Sequence, residues 1–337
     1  MAIIDADAHV IESEHTWDYL RESENKFRPV MVASQDGRKQ FWLIDRRPFE
    51  RGPVSTELPA ASSEMREVEA RLRHMDQLGV DVQVLYPTVF LTPLTNRPEI
   101  EVALCRSYNR WIAELCSKSQ KRLRWVATLP VLNMEDTLAE TRFAADNGAV
   151  GLFIRGLVED RLLSDAYFFP LYQLAAERNI AICIHASTGD FQWMNHFERE
   201  SGFSLFKLPV LIAFHTLVYK GIPAMFPNLR FGFIEVKAQW VPYVIHELAR
   251  RYKQHGLKSP SDIMRENHLY VACQTDDDLS YVLQYAGEDN IVIGSDYGHN
   301  DTSAEIEALK NIRRQGNVPA THIDKILYDN PKALYNL

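Results

Sequence analysis

Four cysteines in 337 residues are too few for a disulfide framework. Cys105 and Cys116 fall on an expected helix, and Cys183 and Cys273 lie inside apolar, strand-like runs where a small buried hydrophobe belongs. No apolar stretch reaches the roughly 18 residues that a membrane helix needs; the nearest, Leu208 to Val218, is short and carries His215. Basic runs are missing beyond pairs such as Arg46-Arg47 and Arg313-Arg314. With 37 Lys and Arg against 45 Asp and Glu the net charge is −8. That balance gives no electrostatic grip on nucleic acid or anionic lipid. Asp5 and Asp7 stand where a signal peptide would need basic and then unbroken apolar residues. G-x-G-x-x-G, Walker A and G-x-S-x-G motifs are absent, so dinucleotide, nucleotide and serine-hydrolase readings lack their signatures. A soluble, cytoplasmic protein that works on small molecules is expected, as a homodimer or hetero-oligomer.

What is present is enough for a large core: 46% of residues are apolar and 24% charged. Short β-branched or aromatic runs ending in polar residues alternate with amphipathic segments. The runs are Ala2 to Asp7, Val80 to Tyr86, Leu123 to Leu129, Ala149 to Arg155, Ile180 to His185, Leu229 to Glu235, Leu269 to Gln274 and Ile291 to Asp296. Between them, Met65, Val68, Leu72, Met75 and Leu78 share one face of a 3.6-residue period, with Gly79 as a C-cap. Asn133 with Asp136 opens another helix, and Gly148 closes it. Apolar strands separated by helices indicate a parallel sheet covered on both faces. Eight repeats favour a (β/α)8 TIM barrel over an open doubly wound sheet. A single barrel domain is expected over 1–337. Residues 10–63 form an insertion after strand 1, with a hairpin expected across Arg46-Arg47, and 186–227 are an extended connection after strand 5. Both leave from strand C-termini, where barrel enzymes carry lids and specificity loops.

In such a barrel the polar residues at strand C-termini converge. Strand 1 ends in Asp7-Ala8-His9, strand 5 in His185, strand 6 in Glu235 and strand 8 in Asp296. The period-two alternation of a strand sends Asp7 and His9 to the same side. Two imidazoles and two carboxylates from strands 1, 5 and 8 make an N2O2 set suited to zinc, manganese or iron. Glu235 reads as a general acid or base, as a further ligand that admits a second ion, or as a structural partner of Lys237 or Arg230. His299, three residues after Asp296, is expected to orient it, and His215 is a weaker supporting candidate in an apolar helix. Arg155 is a candidate grip for a substrate carboxylate. Phe191, Trp193, Trp240 and Tyr297 are candidates for the wall around it.

These segments together resemble the amidohydrolase superfamily, in the branch that contains aminocarboxymuconate-semialdehyde decarboxylase and the resorcylate-type decarboxylases. The resemblance rests on Ile4 to His9 (IDADAH), Met75 to Pro87 (MDQLGVDVQVLYP), Ile184-His185, Phe226 to Tyr243 (FPNLRFGFIEVKAQWVPY), Gly294 to His299 (GSDYGH) and Lys325 to Leu337 (KILYDNPKALYNL). It implies that Asp7, His9, His185 and Asp296 are metal ligands and that Asp296 shuttles a proton. The family's common strand 1 motif is H-x-H, or a glutamate variant in some decarboxylases; its first position is Asp7 here. The histidine that follows strand 6 in the aminocarboxymuconate enzyme is Glu235 here. The G-x-x-W context becomes Lys237-Ala238-Gln239-Trp240. Strand 4 ends in Phe153-Ile154-Arg155, without the lysine that bridges two ions in dinuclear members. One divalent ion is therefore expected, with zinc first and manganese or iron as alternatives. Hydrolysis of a small carboxylated or cyclic substrate is the leading expectation for the reaction. Non-oxidative decarboxylation, an iron or manganese oxygenase, and a partner subunit with a structural metal are the alternatives.

Overall fold

A computed structural model describes residues 2–36, 39–52, 54–197, 200, 202–254, 256, 262–314 and 316–337. Eight parallel strands lie side by side in chain order: β1 (Ile4–Val10), β2 (Val82–Pro87), β3 (Leu123–Thr128), β4 (Gly151–Arg155), β5 (Ala181–His185), β6 (Phe231–Ile234), β7 (Leu269–Cys273) and β8 (Ile291–Ile293). All eight expected strands are present. The sheet closes where Ala8 bridges Tyr297 in parallel and the Asp296 amide donates to the Asp7 carbonyl at 2.9 Å. This is a (β/α)8 barrel. Its strands are almost wholly buried apolar residues, as a sheet covered by helices requires.

The helix starts and stops follow their local chemistry. Asn133 caps Met134–Asp146 by accepting from the amides of Glu135 and Asp136, and Gly148 leaves that helix with φ 82°. Gly79, at φ 71°, ends Val68–Leu78. Met65 does not join that helix as expected; it adopts φ 53° three residues before it starts. Arg71 is fully buried within the helix's apolar stripe. Among the described residues no helix is long and apolar enough to cross a membrane.

Four strands stop earlier than their sequence pattern indicates, two of them just before an acidic residue with unusual backbone. Glu235 (φ 61°) and Asp296 (φ 52°) take left-handed backbone conformations just beyond β6 and β8 instead of completing them. Non-glycine residues adopt that conformation only where surrounding structure enforces it, and such strain concentrates at functional sites.

Within 10–63, three antiparallel strands, Val30–Ala33, Gln40–Ile44 and Arg47–Glu50, form a small sheet. Its hairpin turns at Asp45-Arg46, one residue earlier than expected. Both turn residues have positive φ (45° and 63°), which tight two-residue turns demand. Trp42 on this sheet meets Trp17, earlier in the same insertion, edge to face at 5.8 Å, and Trp17 in turn packs on Phe90, just beyond β2, at 6.3 Å, which ties the insertion to the barrel. Across the mouth, the Arg47 guanidinium lies 4.4 Å from the ring centre of Phe191, in the connection after β5.

The closing seam is held from inside. The buried Asp5 carboxylate accepts from the Ser295 amide and hydroxyl (2.9 and 2.6 Å) and from the Gln83 side chain (2.9 Å). Gln83 in turn accepts from Arg71 Nε at 2.7 Å. Arg71 also donates to the His9 carbonyl and lies 3.5 Å from the Tyr297 ring centre. Gly294 is required at this seam because a Cβ there would fall 2.2 Å from the Asp7 Cβ. Gly294→Ala should therefore destabilise the barrel by about 2 kcal/mol or more. A lowered urea midpoint with loss of metal binding is expected.

Candidate active site

The side chains at β1, β5, β6 and β8 meet in one place. His185 Nε2 lies 3.2 Å from Asp7 Oδ1 and 3.5 Å from Glu235 Oε2. His9 Nε2 lies 3.5 Å from Asp7 Oδ1, 3.5 Å from Asp296 Oδ1 and 3.8 Å from Glu235 Oε2. Ligating atoms of Asp7, His9, His185 and Glu235 form one group within 4.8 Å of one another, and His9, Glu235, Asp296 and His299 form a second. Three of the ligands expected from the sequence, Asp7, His9 and His185, gather with Glu235, and the fourth, Asp296, stands with His9, Glu235 and His299 in the second group.

The hydrogen bonds around the imidazoles define what their free nitrogens present. His9 Nδ1 faces the Pro87 carbonyl at 3.0 Å and His185 Nδ1 the Ala186 carbonyl at 2.8 Å. A carbonyl only accepts, so each Nδ1 carries a proton and each Nε2 is left to face the carboxylates. His299 is set by Thr88. That hydroxyl donates to the Val10 carbonyl at 2.8 Å and so accepts from His299 Nε2 at 2.9 Å, which leaves His299 Nδ1 as a lone pair 2.8 Å from Asp296 Oδ1. Thr88 is itself held by Glu12, whose two oxygens accept the amides of Thr88 and Val89 at 3.0 Å each.

The charges reinforce this picture. Burial lowers His9 to about 3, helped by His299 stacked on its ring at 4.0 Å, so His9 Nε2 holds no proton near neutrality. Burial alone would raise Asp7, but the imidazoles of His185 and His9 outweigh it and hold the carboxyl well below the usual range. Burial would lower His185, yet the carboxylates of Asp7 and Glu235 raise it. Burial and then the charge of Asp296 push Glu235 well above the usual range; burial and then Asp7 do the same to Asp296. His9 Nε2, Glu235 Oε2 and both Asp296 oxygens are buried without a hydrogen-bond partner. Convergent ligand atoms left without a hydrogen-bond partner are what a cation satisfies. Their 3.2–3.8 Å separations approach the roughly 3.0–3.5 Å between neighbouring ligands on bonds of about 2.0–2.2 Å. The residues fit a divalent metal ion.

A family model for amidohydrolases matches residues 4–337. The chain belongs to the amidohydrolase family. It is 21% identical over 315 residues to the 2-amino-3-carboxymuconate-6-semialdehyde decarboxylase of Dictyostelium discoideum, covering 87% of this chain and 81% of that one. Its fold matches a solved amidohydrolase from Mycobacterium avium subsp. paratuberculosis with a TM-score of 0.82 at 19% identity, over 99% of each chain. It also matches a dihydroxybenzoic acid decarboxylase from Polaromonas sp. JS666, solved with manganese and the inhibitor 2-nitroresorcinol. There the TM-score is 0.69 at 17% identity, over 100% of this chain and 97% of that one.

The remaining candidates in this amidohydrolase separate. His299 stands against Asp296, where the sequence put it. Glu235 has neither structural partner considered for it: Lys237 pairs with Asp276, and Arg230 with Asn179 and the Leu334 carbonyl. Tyr297 lines a cavity of about 310 Å³ together with Asp296 and His299, but its hydroxyl is occupied by His74 and Ser62. Arg155 lines two cavities beside β4. Trp193 donates to the Ser204 carbonyl and packs on Phe197, and Trp240 donates to the Lys237 carbonyl and packs on Phe214. His215 stacks on Tyr219 near Arg251 and Glu247 and has no contact with the cluster among the described residues. Thr88, Glu12 and the Asp5–Gln83–Arg71 chain were not singled out in the sequence. Only Arg71 left a trace, as a cation inside an apolar stripe.

Two substitutions check this site. His185→Ala should lower affinity for manganese or zinc roughly 100-fold or more, and Thr88→Val, which frees the His299 ring, roughly 10-fold. Elemental analysis and competition with a chelator dye measure both. An unchanged stoichiometric ion in His185→Ala would refute the assignment.

Proposed function

We propose that this chain is a divalent-metal-dependent, non-oxidative decarboxylase acting on a small carboxylated substrate in the cytoplasm, where its four buried cysteines stay free. Hydrolysis, the first expectation from the sequence, takes second place because the decarboxylases among the similar proteins favour carbon–carbon cleavage. The observation that carries the reading is the place of Glu235, a carboxyl group that burial and the nearby Asp296 push above the usual range, next to a cluster of unpartnered ligand atoms.

Asp7, His9, His185 and Asp296 would hold the ion, and the abundance of carboxylates favours manganese over zinc. Bound there, a divalent cation supplies a Lewis acid that draws electron density from substrate oxygens. Glu235 is the proton donor in this scheme. Its side chain is 10% exposed, against 4% for Asp7 and 2% for Asp296, so it lies nearest the opening through which substrate arrives. The bond between the substrate carbon and its carboxylate breaks and the electron pair stays on that carbon. Glu235 delivers its proton there, carbon dioxide leaves, and water at the exposed edge restores the proton. His299, oriented by Thr88, turns its unprotonated Nδ1 toward Asp296 and so adds one more lone pair to the edge of the cluster.

The manganese-loaded protein should release carbon dioxide from members of a panel of hydroxylated benzoates and unsaturated carboxylated semialdehydes, and do so fully under nitrogen. Glu235→Gln should reduce that release roughly 10²- to 10⁴-fold while retaining the ion. Activity lost under nitrogen would indicate an oxygenase. Cleavage of an amide or lactone without carbon dioxide would restore hydrolysis, and an inert isolated chain that turns over in a complex would point to a partner subunit.

A further inference from the structure

Glu235 does not hold its place unaided. It opens a turn in which Glu235 (φ 61°) and Lys237 (φ 58°) both take the left-handed conformation. That is costly for residues that carry a Cβ, and it persists only where surrounding structure imposes it.

The structure that does so is the loop after β7. Three consecutive residues of the turn meet three consecutive aspartates there. Lys237 pairs with Asp276, the Ala238 amide donates to Asp277 Oδ2 at 2.9 Å, and the Asp278 amide donates to the Gln239 side chain at 2.9 Å. These contacts are unequal. The Asp276 side chain is 65% exposed, where an ion pair contributes little. Asp278 has a task of its own, since its carboxylate caps the helix Leu279–Ala286 by accepting the Tyr281 amide. Asp277 is buried, and so is Ala238. An amide stripped of a buried carboxylate acceptor is expensive to leave unmet, so this bond constrains the turn most.

The same Oδ2 accepts the Gln274 amide at 2.9 Å, which ties the end of β7 to the turn after β6. A carboxylate that served only its own loop would need Gln274 and not Ala238. The loop after β7 is anchored in turn to the loop after β8: Gln274 donates to the Ser303 carbonyl at 3.2 Å, the Thr275 hydroxyl to Glu305, and the Glu305 amide to the Ser295 carbonyl at 3.0 Å. Ser295 immediately precedes Asp296. The two left-handed acids of the cluster are therefore gauged against each other through Asp277.

We infer that Asp277 is a positioning residue for Glu235: by accepting the Ala238 amide it imposes the left-handed turn and holds the Glu235 carboxyl at the cluster. Its effect on turnover rests on the proton-donor reading of Glu235, whereas its effect on the turn is measured without turnover.

Asp277→Ala is compared with Asp277→Asn, whose amide oxygen replaces Oδ2, in the manganese-loaded protein. In the alanine variant, hydrogen exchange of the segment 235–240 should quicken roughly tenfold or more. A crystal structure of that variant should show Glu235 Oε2 about 1 Å or more from its present place, 3.5 Å from His185 Nε2, with manganese content unchanged. For the acid that turns over, kcat should fall roughly 10²-fold with KM within about threefold, and asparagine should restore kcat to within about threefold. In a Glu235→Gln background the alanine substitution should add nothing, because the two act as one unit. Asp277→Glu, which keeps the carboxylate and alters its reach, serves if the alanine variant does not fold and should shift Glu235 in the same way to a smaller extent.

An unmoved Glu235, an undiminished loss in the Glu235→Gln background, or manganese lost in step with turnover overturns the proposal. If Glu235 moves in Asp277→Ala while Glu235→Gln keeps full turnover, the proton-donor reading fails and the positioning stands. If Glu235→Gln is inactive and Glu235 stays fixed in Asp277→Ala, the reverse holds.

Discussion

The site depends on the environment of a single atom. His9 Nε2 is unprotonated, buried, without a hydrogen bond, and faced by oxygens of three carboxylates. Main-chain carbonyls hold the proton of His9 and of His185 on Nδ1, so neither ring can turn its N–H inward without abandoning a buried acceptor. Like-charged oxygens in a desolvated space repel one another and the lone pair they surround. A divalent cation held there would offset those repulsions. The strained backbones of Glu235 and Asp296 belong to the same account, because strain is kept where the surrounding structure over-determines it.

That constraint explains why the surroundings are so polar for an interior. Around the seam of β1 and β8, Asp5, Gln83, Arg71 and Ser295 form a continuous chain of hydrogen bonds. Glu12, Thr88 and His299 form another on the side of β2. Apart from Arg71 Nη2 and His299 Nδ1, the buried polar atoms of these chains find partners, and each chain ends on the backbone or side chain of a residue in the cluster. The barrel gives the cluster its approximate position, and these chains fix the rings and carboxylates within it.

Much of this was legible beforehand. The eight strands announced themselves as apolar runs with polar ends, and the chemistry stood at those ends, because a parallel barrel gathers strand C-termini at one rim. The strand bounds were less legible: Glu235 and Asp296 look like strand residues by composition, and nothing local reveals a left-handed φ. Arg71, Gln83 and Asp5 could not be assembled from periodicity, since their contacts join segments 12 to 290 residues apart. Glu101 looks like an ordinary acidic residue in the first turn of a helix, and only the packed structure places it opposite Arg155. Trp193 and Trp240 were chosen for lying in loops near the mouth, but loop position does not determine where a side chain packs.

Strand β1 has a further bearing on how the molecule comes into being. On one side its backbone pairs with β2, but on the other the Asp7 carbonyl and the His9 amide wait for Asp296 and Tyr297, and the Ala6 carbonyl waits for the Tyr335 hydroxyl, 329 positions later. During synthesis the first strand therefore emerges from the ribosome long before the residues that cover its open edge. Until they arrive, Asp7 and His9 of the candidate cluster hang on an unfinished sheet. The cluster is therefore complete only once the last strand has closed the barrel.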